Sequence, residues 1–300
     1  MTHAVDREVG GSIHARRERQ TGAGTLTPGR GADGVDLTIR EIHPDGRLLP
    51  LYCYRPMGGV GPLPAIVYLH GGSFWGGSVA QVDHLCREYV NRAGCVVVSV
   101  EYRRAPEHPY PQPVDDAVAA LAWVTDHAAE LGVDPRRIAL GGVSAGGCLA
   151  ASAALRVAGH EPRLAGLVLE TPVLDLTMTS SKARRGGSGV LTAAQLVEGY
   201  DHYAPPTVDR TDPYVSPGLA PTTMLAGLPP TMLLVAQYDP LRVEAERFAA
   251  RLREAGVPVE LVLAHNHAHA TVHGGGRLFR SASTYRARVA ELLRLALIKP

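Results

Sequence analysis

At Gly142-Val143-Ser144-Ala145-Gly146 the chain carries a GxSxG pattern, with the apolar run Arg137 to Gly142 before it and the alanine-rich run Ala145 to Val157 after it. A strand entering this turn and a helix leaving it set the central residue on a bend too sharp for flanking Cβ atoms, so the serine hydroxyl stands exposed. The helix opening at Ala145 aims its unpaired N–H groups and its positive end at the same point. Acyl transfer through a serine nucleophile is the chemistry such a turn can do. The same five residues also suit an ordinary glycine-rich turn with a bystander serine, so the pattern needs partners.

Candidate partners lie on both sides of it. His70-Gly71-Gly72-Ser73 closes the apolar run Ala65 to His70, where a loop can turn backbone N–H donors toward a developing oxyanion. Two acids follow later runs: Asp175 after Leu164 to Glu170, and Asp239 immediately before Pro240. Asp before Pro is also how a helix N-cap with proline at its first position reads. The stretch AHNHAHATVH places histidines at 265, 267, 269 and 273. On an extended segment His265, His267 and His269 would share a face, which is how a metal site can begin. No paired carboxylate or cysteine accompanies them, so no metal and no cofactor is expected, and the plain reading is solvated loop histidines.

The elements that would position these residues alternate along the chain. Ala65 to His70, Cys95 to Val100, Arg137 to Gly142, Leu164 to Glu170, Thr231 to Ala236 and Val259 to Ala264 are short, apolar and mostly rich in β-branched residues, as buried parallel strands are. Between them Val114 to Leu131, Ala145 to Val157, Leu241 to Ala255 and Thr284 to Leu297 carry helical spacing. The fold class is therefore α/β. Residues 1 to 35, rich in Gly, Arg and Thr, read as an N-terminal arm or part of a cap, with the main domain over 36–300. The proline-rich segment from 176 to about 225 interrupts the alternation and reads as a cap inserted over the C-terminal edge of the sheet, where open α/β sheets bind ligands.

Composition narrows the function. Thirty Lys and Arg against 29 Asp and Glu leave a net charge of +1, which supplies no field for nucleic acid or anionic lipid. The first twenty residues lack the apolar core of a secretory signal, and no run approaches the roughly 20 apolar residues of a membrane span, so a cytoplasmic location is expected. Cys53, Cys86, Cys95 and Cys148 show no CxxC spacing and read as buried, reduced thiols. A hydrophobic fraction of 45% allows a sizeable core.

The segments HGGSFWGGS (70–78), VSVEYRRAPEHPYP (98–111), GVSAGG (142–147) and YDPLRVEAERFAARLREAGVPVEL (238–261) resemble the hormone-sensitive-lipase-like family of esterases, from about residue 40 to the C-terminus. The resemblance implies an α/β-hydrolase fold: a mostly parallel central sheet flanked by helices, with a small helical cap. It also implies a Ser-Asp-His triad in that chain order, here Ser144, Asp239 and His269, with Asp175 in a structural position. The implied oxyanion donors are the backbone N–H groups of Gly72, Ser73 and Ala145.

The chain departs from the family at four places. Ser73 stands at its third glycine, Val143 and Val243 replace acids, and His269-Ala270-Thr271 stands where His-Gly-Phe is usual. For Ser73 the expectation is a tolerated replacement at backbone angles a serine can reach; the other reading is a narrowed or hydroxyl-bearing oxyanion hole. The resemblance implies hydrolysis of small carboxylic esters with short or medium acyl chains. The alternatives are a specialised-metabolite deacetylase or dehydratase and, with His269 arguing against it, a non-catalytic receptor-like protein. A homodimer is left open.

Overall fold

The computed structural model describes residues 29–31, 33–161, 163–178, 191–269, 271–273 and 280–298, together with Arg17 and Leu26. Most of the expected N-terminal arm, and residues 179–190 of the expected cap, lie outside the described residues.

Among the described residues nine strands form one sheet in the order β1-β2-β3-β5-β4-β6-β7-β8-β9. β1 (Gly29–Arg30), β2 (Val35–Ile42) and β3 (Leu49–Pro56) run antiparallel at one edge. β4 (Leu63–Leu69), β5 (Val96–Val100), β6 (Val133–Val143), β7 (Gly166–Glu170), β8 (Thr231–Ala236) and β9 (Val259–Ala264) are parallel. All six expected strands are present. The antiparallel edge did not figure among them, although Val35, Leu37, Leu49, Leu51 and Cys53 are buried at a spacing of two.

Alternate side chains of each central strand feed two cores. Ala65, Val67 and Leu69 of β4 face the core packed by α2 (Gln112–Asp126), α4 (Ala145–Val157) and α7 (Arg242–Glu254). Ile66 and Tyr68 face the core packed by α1 (Val79–Ala93) and α8 (Arg280–Ile298). With apolar cover on both faces, the strands read as continuous apolar runs. The helix expected over Val114 to Leu131 breaks at His127, and a single further turn, α3 (Ala128–Leu131), follows. α1 was not anticipated, yet Val79, Val82, Cys86, Tyr89, Val90 and Ala93 follow helical periodicity. Within the segment from 176 to 225, α5 (Ala193–Tyr203) is capped by Thr192, whose hydroxyl and N–H exchange bonds with Gln195, and a short turn, α6 (Thr222–Leu225), comes later.

Parallel strands bring the loops after β4, β6, β7, β8 and β9 to one edge, which is where the chemistry-bearing residues converge. All four cysteines are free and buried.

Candidate active site

The turn after β6 is set by sterics. Ser144 sits at φ 56 and ψ −117, a region that L-residues avoid, so the bend is held by its surroundings. Its N–H donates to the carbonyl of Glu170 (2.8 Å), and its own carbonyl accepts from the N–H groups of Cys148 and Val173 (both 3.2 Å). Gly146 is required because a Cβ there would run into the carbonyl oxygens of Leu69 and His70 at the end of β4. Gly142 lies just as close, with the Leu69 oxygen 2.7 Å from where its Cβ would be.

The Ser144 hydroxyl points at His269, with Oγ 2.9 Å from Nε2, and Nδ1 of the same ring is 2.8 Å from Asp239 Oδ2. With Nδ1–H donated to the carboxylate, Nε2 is left to accept the serine proton. Asp239 uses its two oxygens differently. Its Oδ1 accepts the N–H of Leu241 (2.9 Å) at the entry to α7, while Oδ2 holds the histidine. The cap residue of α7 is Leu241 and makes no side-chain cap, so Asp239 shapes the turn before the helix rather than capping it. Asp175 accepts from the N–H (2.9 Å) and hydroxyl of Thr177.

The loop after β4 presents Gly72 and Ser73 beside Ser144, and Ala145 opens α4. Tyr102 pins the loop's start: its ring stacks on buried His70 at 4.2 Å and its hydroxyl donates to the His70 carbonyl (2.8 Å). Burial lowers the pKa of His70, so the ring is neutral and its Nδ1–H donates to the Gly71 carbonyl (2.8 Å). Arg104 donates to the Gly77 carbonyl, and Arg17, from the N-terminal segment, donates to the carbonyls of Trp75 (2.7 Å) and Ala105 (2.8 Å). Ser73 adopts φ 53, so the replacement is carried in left-handed backbone that glycine would enter without strain. The Ser73 side chain backs onto α5: a Cβ on Gly199 would lie 2.7 Å from the Ser73 carbonyl oxygen and 3.0 Å from its Cβ.

A cavity of about 320 Å³ opens beside these groups, lined by Ser73, Ser144 and His269 together with the apolar side chains of Leu85, Val143 and Leu191. Val143 is thus apolar wall, and Val243 is half-buried on α7.

The histidine segment differs from the expectation. The chain does not stay extended past β9: Asn266 takes φ 60, so His265, His267 and His269 do not share a face. Solvated loop histidines describe His265 alone, since His267 and His269 are buried and His273 is half-buried. His267 has its Nδ1 3.2 Å from Thr271 Oγ1 and its Nε2 2.9 Å from Ser281 Oγ, and burial lowers its pKa. Among the described residues no group of three His, Cys, Asp or Glu side chains could hold a metal ion.

Sequence reasoning missed three buried polar residues around the site. Glu170 ends β7 with its carboxylate taken by Tyr68 and Tyr89; an acid closing the run Leu164 to Glu170 was its visible signal. Glu244 lies on α7 and accepts the Leu174 N–H (2.7 Å); burial, with Asp175 and Asp239 nearby, pushes its carboxyl well above the usual range. Tyr102 lay inside a quoted motif without a role.

A sequence profile of the α/β-hydrolase fold matches residues 66–273. The chain is 36% identical over 256 residues to the esterase LipI of Mycobacterium tuberculosis, covering 80% of this chain and 78% of that protein. It is 37% identical over 236 residues to an ethyl acetate hydrolase of Pseudomonas putida, covering 76% and 72%. Among solved structures, a hyperthermophilic esterase from the archaeon Pyrobaculum calidifontis superimposes with a TM-score of 0.79 at 36% identity, covering 86% of this chain and 85% of that one.

Proposed function

Since the chain belongs to the hormone-sensitive-lipase-like esterases of the α/β-hydrolase family and is an ester-hydrolysing enzyme, we propose that it cleaves short- to medium-chain carboxylic esters through an acyl-enzyme on Ser144. The observation that carries this reading is the unbroken relay from Ser144 Oγ to His269 (2.9 Å) and on to Asp239 (2.8 Å).

In this reading the Ser144 oxygen attacks the acyl carbon while its proton passes to His269 Nε2. The negative charge formed on the carbonyl oxygen is met by the N–H groups of Gly72, Ser73 and Ala145. Asp239 holds the ring's tautomer and balances the imidazolium. Collapse expels the alcohol, which takes the proton from Nε2, and a water then repeats the sequence to release the acid. The groups are all side chains and backbone of this chain, and no cofactor enters. The receptor-like alternative has no support, because it presupposes the loss of a histidine that is in place.

What supports short and medium acyl chains is the cavity of about 320 Å³, near the lower end of the roughly 300–1,000 Å³ of ligand pockets. The segment from 176 to 225 is read as the cap over that cavity, joined by the N-terminal arm, whose Arg17 reaches the loop after β4. Four buried free thiols support a cytoplasmic protein, and no helix among the described residues is long and apolar enough to cross a membrane.

Fluorophosphonate treatment followed by mass spectrometry tests the assignment: the adduct is expected on Ser144, and an adduct elsewhere overturns it. On a panel of p-nitrophenyl esters, acetate to hexanoate should outrun palmitate, with rates unchanged by a strong chelator.

A further inference from the structure

A second histidine–carboxylate pair lies four residues from the first. His273 ends a short turn (Thr271–His273), with Nδ1 3.4 Å from Glu170 Oε2 and Nε2 2.9 Å from Thr171 Oγ1. Glu170 is fully buried, and its other oxygen accepts from the hydroxyls of Tyr68 (2.5 Å) and Tyr89 (2.6 Å). Burial works to keep this carboxyl protonated, but His273 and the two tyrosines outweigh it and hold its pKa below the ordinary value. An anion in that place needs a partner, and His273 is the group that reaches its second oxygen.

Glu170 also has a backbone role in the site. Its carbonyl accepts the Ser144 N–H at 2.8 Å, so the residue that receives His273 is the one that fixes the height of the nucleophile. Thr171, the other partner of His273, takes φ 43 and has its N–H on the Leu234 carbonyl (2.7 Å), which makes this strand end a stiff anchor. On its other side, His273 is held through its carbonyl by His84 Nε2 (2.8 Å), and the neighbouring Val272 carbonyl accepts from Arg286 (2.9 Å). The short turn therefore clamps the far end of the loop that bears His269.

We propose that His273 is a positioning residue: its ring ties the His269 loop to the end of β7, whose Glu170 carbonyl holds the Ser144 N–H, and so sets the separation between the two reacting atoms. This rests on Ser144 and His269 being nucleophile and base. A base misplaced by a fraction of an ångström slows proton transfer without weakening substrate binding, so the effect belongs in kcat.

Steady-state kinetics on p-nitrophenyl acetate, at matched circular dichroism and melting temperature, test it. His273→Ala is expected to lower kcat about tenfold with KM changed less than about twofold. Glu170→Gln should lower kcat similarly, and the double variant should be little worse than either single change, because both cut the same tie. His273→Asn, which keeps an N–H donor near the Nδ1 position, should recover at least about a third of the wild-type kcat; it also serves if the alanine variant does not fold. Unchanged kcat in His273→Ala, a rise in KM alone, additive losses in the double variant, or an asparagine variant no better than alanine would each overturn the proposal. Ser144→Ala run alongside separates the two readings: an active Ser144→Ala defeats the nucleophile assignment, whereas an inactive one with a wild-type-like His273→Ala defeats only the tie.

Discussion

The loop after β6 and the loop after β9 deliver the two partners of the Ser144–His269 hydrogen bond, and they are held in different ways. Around Ser144 the restraints are backbone: carbonyls of Leu69, His70 and Glu170 press against Gly142, Gly146 and the serine N–H. Around His269 they are side chains from distant parts of the chain: Asp239, Ser281 on His267, and Glu170 and Thr171 on His273. The first kind of restraint is nearly all-or-none, because a backbone clash has nowhere to go. The second is divisible, because each contact carries part of the load.

Four experiments bear on that contrast. The largest effect is expected from Ser144→Ala, which should leave the fold intact and reduce ester turnover about ten-thousandfold or more; a folded variant with substantial activity on p-nitrophenyl acetate would remove the serine from the site altogether. Next, Gly146→Ala should destabilise by about 3 kcal/mol or more, since the added carbon meets the Leu69 and His70 carbonyls and no side chain can yield. Urea melts that place it within about 1 kcal/mol of wild type would show that the elbow is softer than described.

A change in the histidine loop should do less. His267→Ala loses bonds to Thr271 and Ser281, and turnover is expected to stay above about a tenth of wild type, a difference of about 1.4 kcal/mol in barrier. A fall as deep as that of Ser144→Ala would erase the distinction between the loops. The smallest effect is a pH slope. Glu244, pushed above the usual carboxyl range by burial, contributes stability that is present below its ordinary pKa and lost as pH rises through the folded-state value. Glu244→Gln removes that titration while keeping the acceptor for the Leu174 N–H. The melting temperature of Glu244→Gln relative to wild type should therefore climb between about pH 5 and 8, and a difference that stays flat or falls would contradict the assignment.

The same contrast explains what the sequence made legible. The elbow is local: Gly142, Ser144 and Gly146 lie within five residues, and the steric reason for each glycine can be argued without knowing the fold. The parallel strands were legible for a similar reason, since burial on both faces leaves an uninterrupted apolar run. Helix α1, the crossover between β4 and β5, and the antiparallel strands β2 and β3, which precede the alternation, carried readable periods of their own, weaker than the apolar runs beside them. Asp239 and His269 could be named only through resemblance, because an aspartate before a proline looks the same whether it shapes a turn or holds a ring, and here it does both. The burial of His267 had no local signal, since it depends on Ser281 and Tyr285 packing from α8. Glu170 was visible as an acid at the end of an apolar run, but its meaning depends on tyrosines at 68 and 89 and a histidine at 273.

The contact between Ser73 and Gly199 bears on how such an enzyme can be altered. The two residues are 126 positions apart in the chain, yet the space for a Cβ on α5 is already filled by the carbonyl and side chain of the loop after β4. A route that first adds a side chain at 199 must disturb the loop after β4, whereas one that first replaces Ser73 with glycine removes one obstacle and leaves the carbonyl as the other. The order of substitutions matters here, and the same alanine at 199 has a different worth depending on what already stands at 73. Residue 73 therefore cannot be transplanted between relatives as an isolated letter; it travels with the bare patch of helix it rests on.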